Sequence, residues 1–125
     1  MKIKHGDIMV CVTRQKTCDR LISRGAALKS ERNTQLHVVH CVQLGHNFLG
    51  NPDEGEALEY LFTAAQLAGG ELSMLRAQNV EDALVEYAAN NSIGTIVMGA
   101  APGTGDNIVS RLHGRLPDIE FDVLD

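Results

Sequence analysis

Tryptophan is absent from this chain, and aromatic residues make up only 4% of it. Proteins that hold single-stranded nucleic acids stack the bases on aromatic side chains, so this composition argues against such a surface. The formal net charge of −5 argues against a sequence-independent grip on phosphate backbones, which needs an excess of lysine and arginine. The composition therefore argues against nucleic acids as partners.

Long hydrophobic runs and paired cysteines are also missing. No apolar run approaches the roughly 20 residues that a membrane-spanning helix needs, and no apolar stretch follows the basic first residues, so we expect neither a membrane helix nor a signal peptide. The three cysteines form no C-x-x-C pair, and we interpret them as reduced thiols of a cytoplasmic protein. At 125 residues the chain fits one domain, which we expect to span residues 1–125.

Five short apolar segments predict β-strands. The first four are continuous, which is typical of strands buried on both faces of a parallel sheet. The fifth alternates between apolar and polar residues, which indicates an edge strand or a subunit contact. The predicted strands are residues 8–12, 36–42, 72–75, 95–98 and 119–124.

Apolar residues at helical spacing lie between these strands, in segments 17–32, 54–68, 80–90 and 106–113. Strands that alternate with helices imply right-handed crossovers with helices on both faces of the sheet. The sequence therefore predicts a three-layer α/β/α fold with a five-stranded parallel sheet in the order 3-2-1-4-5. Ligands of such sheets lie beyond the carboxyl ends of the strands where the order reverses, here between the first and fourth strands.

The glycine-rich segment 99–107 follows the fourth predicted strand into that crevice. Its backbone N–H groups could cradle a phosphate, but a tight turn into a short helix needs glycine equally. It is not a Walker A loop, because no Lys-Ser/Thr pair follows its last glycine, and Asp106 would compete with an anion. The candidate ligand-binding residues of the crevice are Val12, Thr13, Arg14, Lys16, Val42, Gly99, Gly103, Thr104, Gly105 and Asn107.

Arg14 and Lys16 form a candidate cationic pair at the crevice, and Arg111 is a third candidate. The competing interpretation of all three is ordinary solvated surface charge, which we favour. We expect Val42, with its neighbouring backbone, to contact a base rather than a phosphate.

Several segments resemble the universal stress protein family, in particular the domain of this type within KdpD-type osmosensing potassium-sensor histidine kinases. The similar segments are residues 7–13, 18–22, 36–40, 83–88, 90–99 and 116–119. The resemblance covers nearly the whole chain. It implies an adenine nucleotide alpha hydrolase-like fold, and a signalling or stress-response module that binds ATP, AMP or cyclic di-AMP.

The resemblance also shows departures at the nucleotide site. Family members that bind ATP carry G-x2-G-x9-G-[ST] after the fourth strand; Gly99 matches the first glycine, Gly103 comes one residue late, and the loop is shorter. Members usually end the first strand on Asp, where this chain has Thr13. The paired serines and the strand-borne F-T-A-x-Y of domains that bind cyclic di-AMP have no counterpart at the matching positions.

Other chemistry-bearing residues give weaker patterns. His37 and His40 stand three apart on a strand and should point to opposite faces, so we expect no metal site. Cys11 and Cys41 lie near the ends of adjacent predicted strands; a redox switch would need a stabilised thiolate, and buried inert thiols are the preferred interpretation. We find no nucleophile with a base and an oxyanion hole, and we expect no enzyme.

Two functions therefore remain open. The first is a regulatory module that binds an adenine nucleotide. The second is a nucleotide-free interaction module with a degenerate phosphate loop, which dimerises or docks to a kinase or transporter. The resemblance implies a homodimer through the C-terminal strand, and the alternation in residues 119–124 is compatible with that.

Overall fold

The structure, a computed structural model, describes residues 6–12, 15–43, 54–99 and 108–124. Strands and helices alternate along them, as the sequence predicts. The elements are β1 (Asp7–Cys11), α1 (Gln15–Arg32), β2 (Leu36–Gln43), α2 (Glu54–Leu67), β3 (Glu71–Ala77), α3 (Val80–Asn90), β4 (Ile93–Gly99), α4 (Ile108–Arg115) and β5 (Glu120–Leu124).

The five strands form one parallel sheet in the order β3-β2-β1-β4-β5. The predicted fold class and strand order are therefore confirmed. β1 lies at the centre, where Ile8 is level with Leu36 of β2 and Thr95 of β4. Helices α1 and α2 pack on one face of the sheet, and α3 and α4 pack on the other. The strand order therefore reverses between β1 and β4.

The sheet has a hydrophobic core on each face, and successive side chains of a strand pack into one and then the other, because strand side chains alternate between faces. In β1, Ile8 and Val10 pack with α1 and α2, whereas Met9 and Cys11 pack with α3 and α4. The central strands are almost fully buried on both faces, which explains why their apolar runs are continuous.

Helix α1 lies close against β1 at Gly25. A Cβ atom added to Gly25 would lie 2.4 Å from Val10 Cγ2 and 2.9 Å from Leu36 Cδ1. A glycine in the middle of a helix costs about 1 kcal/mol relative to alanine. The close approach of helix and sheet explains why this helix carries one.

Ion pairs connect α1 to the opposite edge of the sheet. Arg24 Nε donates to Asp122 Oδ2 at 2.5 Å, and Arg32 Nη2 lies 3.5 Å from Glu120 Oε1. Arg32 also donates through Nη1 to the buried Thr95 hydroxyl at 2.6 Å. These contacts hold the Glu120 and Asp122 side chains of β5 against α1, although the Glu120 side chain remains 63% exposed.

Candidate functional site

Two candidate residues that the structure describes, Val12 and Gly99, lie at the carboxyl ends of β1 and β4, where the sequence predicts a crevice. Val12 is 1% exposed, and Gly99 is half-buried and level with Leu124 of β5. Among the described residues, a Cβ added to Gly99 would meet only the Leu124 carbonyl oxygen, at 4.0 Å. The described part of the fold therefore leaves open space beside Gly99.

His40 holds the end of β1 at this crevice. Its Nδ1 lies 2.5 Å from the Val12 carbonyl oxygen, and the Val12 N–H donates to the Val39 carbonyl at 2.9 Å. Because a carbonyl only accepts, Nδ1 must carry the hydrogen. Burial lowers the pKa of His40 below its ordinary value, although the Val12 bond opposes this. His40 is thus a buried core histidine, 2% exposed, and it fixes the last described residue before the first loop.

The structure places two further candidates only by their backbone. Lys16 lies in the first turn of α1, and Val42 lies in β2 opposite Arg76 of β3. Their side chains and the other predicted ligand-binding residues lie outside the described part of the chain, and their roles stay predictions. Those other residues are Thr13, Arg14, Gly103, Thr104, Gly105 and Asn107.

Arg111, the third candidate cation, is engaged with α3. Its Nε donates to Glu81 Oε1 at 2.5 Å, while Arg115 Nη1 lies 2.8 Å from Glu81 Oε2 and 2.6 Å from Asp82 Oδ1. The hydrogen bonds from Arg115 and then Arg111 lower the pKa of Glu81. This contact favours the interpretation of Arg111 as a surface charge that joins α4 to α3.

A second polar cluster lies at the opposite, amino-terminal end of the strands. His37 Nε2 lies 2.9 Å from Asp7 Oδ2, and His37 Nδ1 lies 3.0 Å from the Tyr87 hydroxyl. The same hydroxyl lies 3.1 Å from Ser73 Oγ. This chain of hydrogen bonds joins β1, β2, α3 and β3.

Asp7 sets the direction of these hydrogen bonds. Burial alone would raise the pKa of Asp7, but hydrogen bonds from His37, Thr34 and Gln35 lower it overall. The ionised carboxylate only accepts, so His37 Nε2 donates to it. In the neutral imidazole, Nδ1 then accepts from Tyr87, whose oxygen is free to accept from Ser73.

Sequence reasoning missed this cluster. Asp7 immediately precedes the first apolar run, and His37 interrupts the second one. In parallel strands those two positions become neighbours once the register is known. Tyr87 fits the apolar stripe of α3, and the pattern alone does not reveal that its hydroxyl reaches back to His37.

Among the histidines and cysteines that the structure describes, His37 and His40 lie on different faces of the sheet, and Cys11 and Cys41 are free thiols. His37 bonds to Tyr87 on the α3 face while His40 lies on the opposite face, as predicted. Burial raises the pKa of Cys11 to about 12, with Cys41 adding to the effect, and burial also raises that of Cys41. Both groups are therefore thiols at neutral pH, which supports their interpretation as inert.

Within the ranges that the structure describes, no three histidine, cysteine, aspartate or glutamate side chains lie together as potential metal ligands. In the same ranges, no helix combines the length and the apolar character that crossing a bilayer requires.

No protein-family model and no curated protein sequence matches this chain. Solved structures do. A universal stress protein in complex with cAMP is 16% identical and has a TM-score of 0.70, with 98% of this chain and 97% of that one covered. The universal stress protein of Archaeoglobus fulgidus in complex with dAMP is 17% identical, with a TM-score of 0.61 and 98% of each chain covered.

The universal stress protein UspA from Lactobacillus plantarum is 13% identical, with a TM-score of 0.64 over 99% of this chain and 100% of that one. Identities this low show a shared fold. The chain therefore has the α/β fold of these universal stress proteins; a special closeness to the kinase-borne domains stays a prediction.

Proposed function

We propose that this protein is a universal stress protein-like regulatory module that binds an adenine nucleotide in the crevice between β1 and β4. The observation that carries the proposal is the reversal of strand order at β1 and β4; among the described residues, only the Leu124 carbonyl comes within 4 Å of the space beside Gly99 at that rim. Two solved structures with this fold are complexes with cAMP and dAMP. The proposal includes a cytoplasmic location and no catalytic activity.

In this proposal, different residues contact the phosphates and the base of the nucleotide. Backbone N–H groups of residues 103–107 hold the phosphates, and Arg14 and Lys16 supply positive charge. Val42 and the neighbouring backbone contact the base. His40 keeps the end of β1 in one position, since both backbone groups of Val12 are engaged with β2.

Thermal unfolding with ATP, AMP, cAMP and cyclic di-AMP tests the proposal. A ligand that binds only the folded state stabilises it by RT ln(1 + [L]/Kd), about 2.7 kcal/mol at a hundredfold excess over Kd. At least one nucleotide should raise the melting temperature in proportion to the logarithm of its concentration. Calorimetry then gives the stoichiometry, and the absence of any shift at millimolar concentration would contradict the proposal.

Two lysines of α1 provide a matched pair of variants. Lys16 lies in the first turn and Lys29 in the last, roughly 20 Å apart along the helix axis. Lys16→Ala, like Arg14→Ala, should weaken nucleotide binding, whereas Lys29→Ala should leave it unchanged. Asp106→Lys should strengthen binding, because it replaces an anion that competes with phosphate by a cation.

The second candidate function is a nucleotide-free interaction module. It is supported by large apolar side chains that remain exposed, Phe62 and Leu67 on α2 and Val123 on β5. The expected homodimer through the C-terminal strand belongs to this candidate, as does docking to a kinase or transporter. Unchanged melting with every nucleotide, together with a stable self-association, would favour it over the first.

A further inference from the structure

Sulfur-bearing side chains collect on one face of the sheet, at the carboxyl ends of its central strands. Cys11 of β1 is level with Met98 of β4 on one side and with Val39 of β2 on the other. Cys41 follows Val39 by two residues, so its side chain returns to the same face. All three sulfur-bearing side chains pack in the core that α3 and α4 cover. Two thiols and one thioether therefore lie on three neighbouring strands.

The spacing of the two cysteines suits a single metal ion. Neighbouring strands lie about 4.8 Å apart and a strand rises about 3.3 Å per residue, so the Cα atoms of Cys11 and Cys41 lie roughly 8 Å apart. A metal–thiolate bond is about 2.3 Å long, so an ion between two sulfur atoms separates them by about 4.6 Å. The two Cβ–Sγ bonds cover the remainder when they lean toward each other. Burial, and then the charge of Cys41, raises the pKa of Cys11 to about 12, and the second effect requires the two thiols to be close.

The set of sulfur ligands selects the metal. Thiolate and thioether sulfur are soft ligands, and together they favour Cu(I). A structural zinc site instead needs four ligands from cysteine, histidine or carboxylate side chains. Within the described ranges, no histidine or carboxylate joins the two cysteines in a group of three, so these residues do not complete a zinc site. Two cysteines with one methionine are, by contrast, a sufficient set for Cu(I).

Burial makes these thiols poor nucleophiles, but it does not prevent them from binding copper. A metal ion deprotonates the thiol that coordinates it, so no thiolate has to be present beforehand. Each cysteine releases its proton to solvent as its sulfur binds, and the ion remains Cu(I). Cys41 is only half-buried, and Leu75, which is level with it on β3, lines a groove of about 430 Å³ between β3 and α3. The groove brings solvent to within one strand of the Cys41 thiol.

We propose that Cys11, Cys41 and Met98 bind one Cu(I) ion, with the two cysteine sulfurs as the main ligands and the methionine thioether as a third. The site lies next to the proposed nucleotide crevice, because each ligand is followed in the chain by a candidate nucleotide-binding residue. Those residues are Val12, Val42 and Gly99. Copper binding does not require the nucleotide, so it is measured in protein free of nucleotide, and either proposal can fail without the other.

Competition with a chromophoric Cu(I) chelator, under anaerobic and reducing conditions, measures the affinity and the stoichiometry. Cys18→Ser is the reference protein, because it leaves Cys11 and Cys41 as the only cysteines. It should bind one Cu(I) ion and show a thiolate-to-copper charge-transfer band in the ultraviolet. In this background, Cys41→Ser should weaken binding by at least about a hundredfold and reduce the band. Met98→Leu, which nearly conserves the side-chain volume, should weaken binding by roughly tenfold.

Met74→Leu is the matched control for Met98→Leu. Met74 packs against the core on the opposite face of the sheet, so its replacement should leave the copper affinity unchanged. Circular dichroism establishes that each variant is folded. A reference protein that takes no Cu(I) from the chelator would overturn the proposal, and so would an affinity that survives Cys41→Ser. Equal effects of Met98→Leu and Met74→Leu would overturn the site with three ligands.

Discussion

His37 is hydrogen-bonded to Asp7 across the amino-terminal ends of two neighbouring strands, with 2.9 Å between Nε2 and Oδ2. The other ring nitrogen reaches the Tyr87 hydroxyl of α3, and the two rings meet edge to face with 5.8 Å between their centroids. One imidazole therefore ties β1 and β2 to α3, at the end of the sheet away from the proposed nucleotide crevice. The cluster has a structural role that can be measured separately from ligand binding.

Tyr87→Phe should destabilise the fold by about 1–2 kcal/mol, because it removes the hydroxyl that bridges His37 and Ser73 and leaves both without that partner. Tyr60→Phe is the matched control, since the Tyr60 hydroxyl donates to Asp19 on an exposed surface. Its loss should cost less than about 0.5 kcal/mol. Urea unfolding at pH 7 measures the free energy of unfolding of both variants. Equal losses would show that the Tyr87 hydroxyl contributes no more than an exposed hydrogen bond.

Asp7→Asn should remove part of the acid sensitivity of the protein. The pKa of Asp7 is lowered in the folded state, so its ionised form adds stability at pH values above the unfolded pKa near 3.8. That contribution is lost as the pH falls through the folded pKa. The wild type should therefore exceed Asp7→Asn in stability at pH 6, and the difference should shrink toward pH 3. A difference independent of pH would refute the assignment of an ionised Asp7.

The fold was predictable because burial on both faces leaves a direct trace in the sequence. Continuous apolar runs marked the central strands, and their alternation with helical patterns gave the parallel order. The third strand was predicted at 72–75 but extends over Glu71–Ala77. Its charged ends, Glu71 and Arg76, interrupt the apolar run because an edge strand exposes them to solvent.

The partners of polar side chains were not predictable in the same way. Arg111 finds Glu81 thirty residues earlier in the chain, a contact that depends on how α4 packs beside α3. The His37 cluster depends on strand register and on the rotation of α3 about its axis. Neither quantity is encoded in a local pattern, so the sequence predicted the order of the strands better than which side chains meet.

Two glycines in helices should respond oppositely to alanine. At Gly25 an added Cβ would meet Val10 Cγ2 at 2.4 Å, so Gly25→Ala should destabilise the protein by about 1–3 kcal/mol through overpacking. At Gly114 in α4, an added Cβ meets no atom of the described chain within 4 Å. Gly114→Ala should therefore stabilise by up to about 1 kcal/mol. Thermal and urea unfolding measure whether each variant is more or less stable than the wild type. If both variants were destabilised, the close approach of helix and sheet would not be what distinguishes Gly25.

His40 should make the end of β1 sensitive to mild acid. Burial lowers its folded pKa below the unfolded value of 6.5, so the unfolded chain takes up the proton first. The contribution of His40 to the free energy of unfolding should be fully present above pH 6.5. It should fall as the pH is lowered from there toward the folded pKa. His40→Asn keeps a donor near the Val12 carbonyl but does not titrate, so its stability should change less over that interval. Urea unfolding of both proteins between pH 7.5 and pH 5 makes the comparison. If the free energy of unfolding changed equally with pH in both proteins, His40 would not be the buried neutral donor that holds Val12.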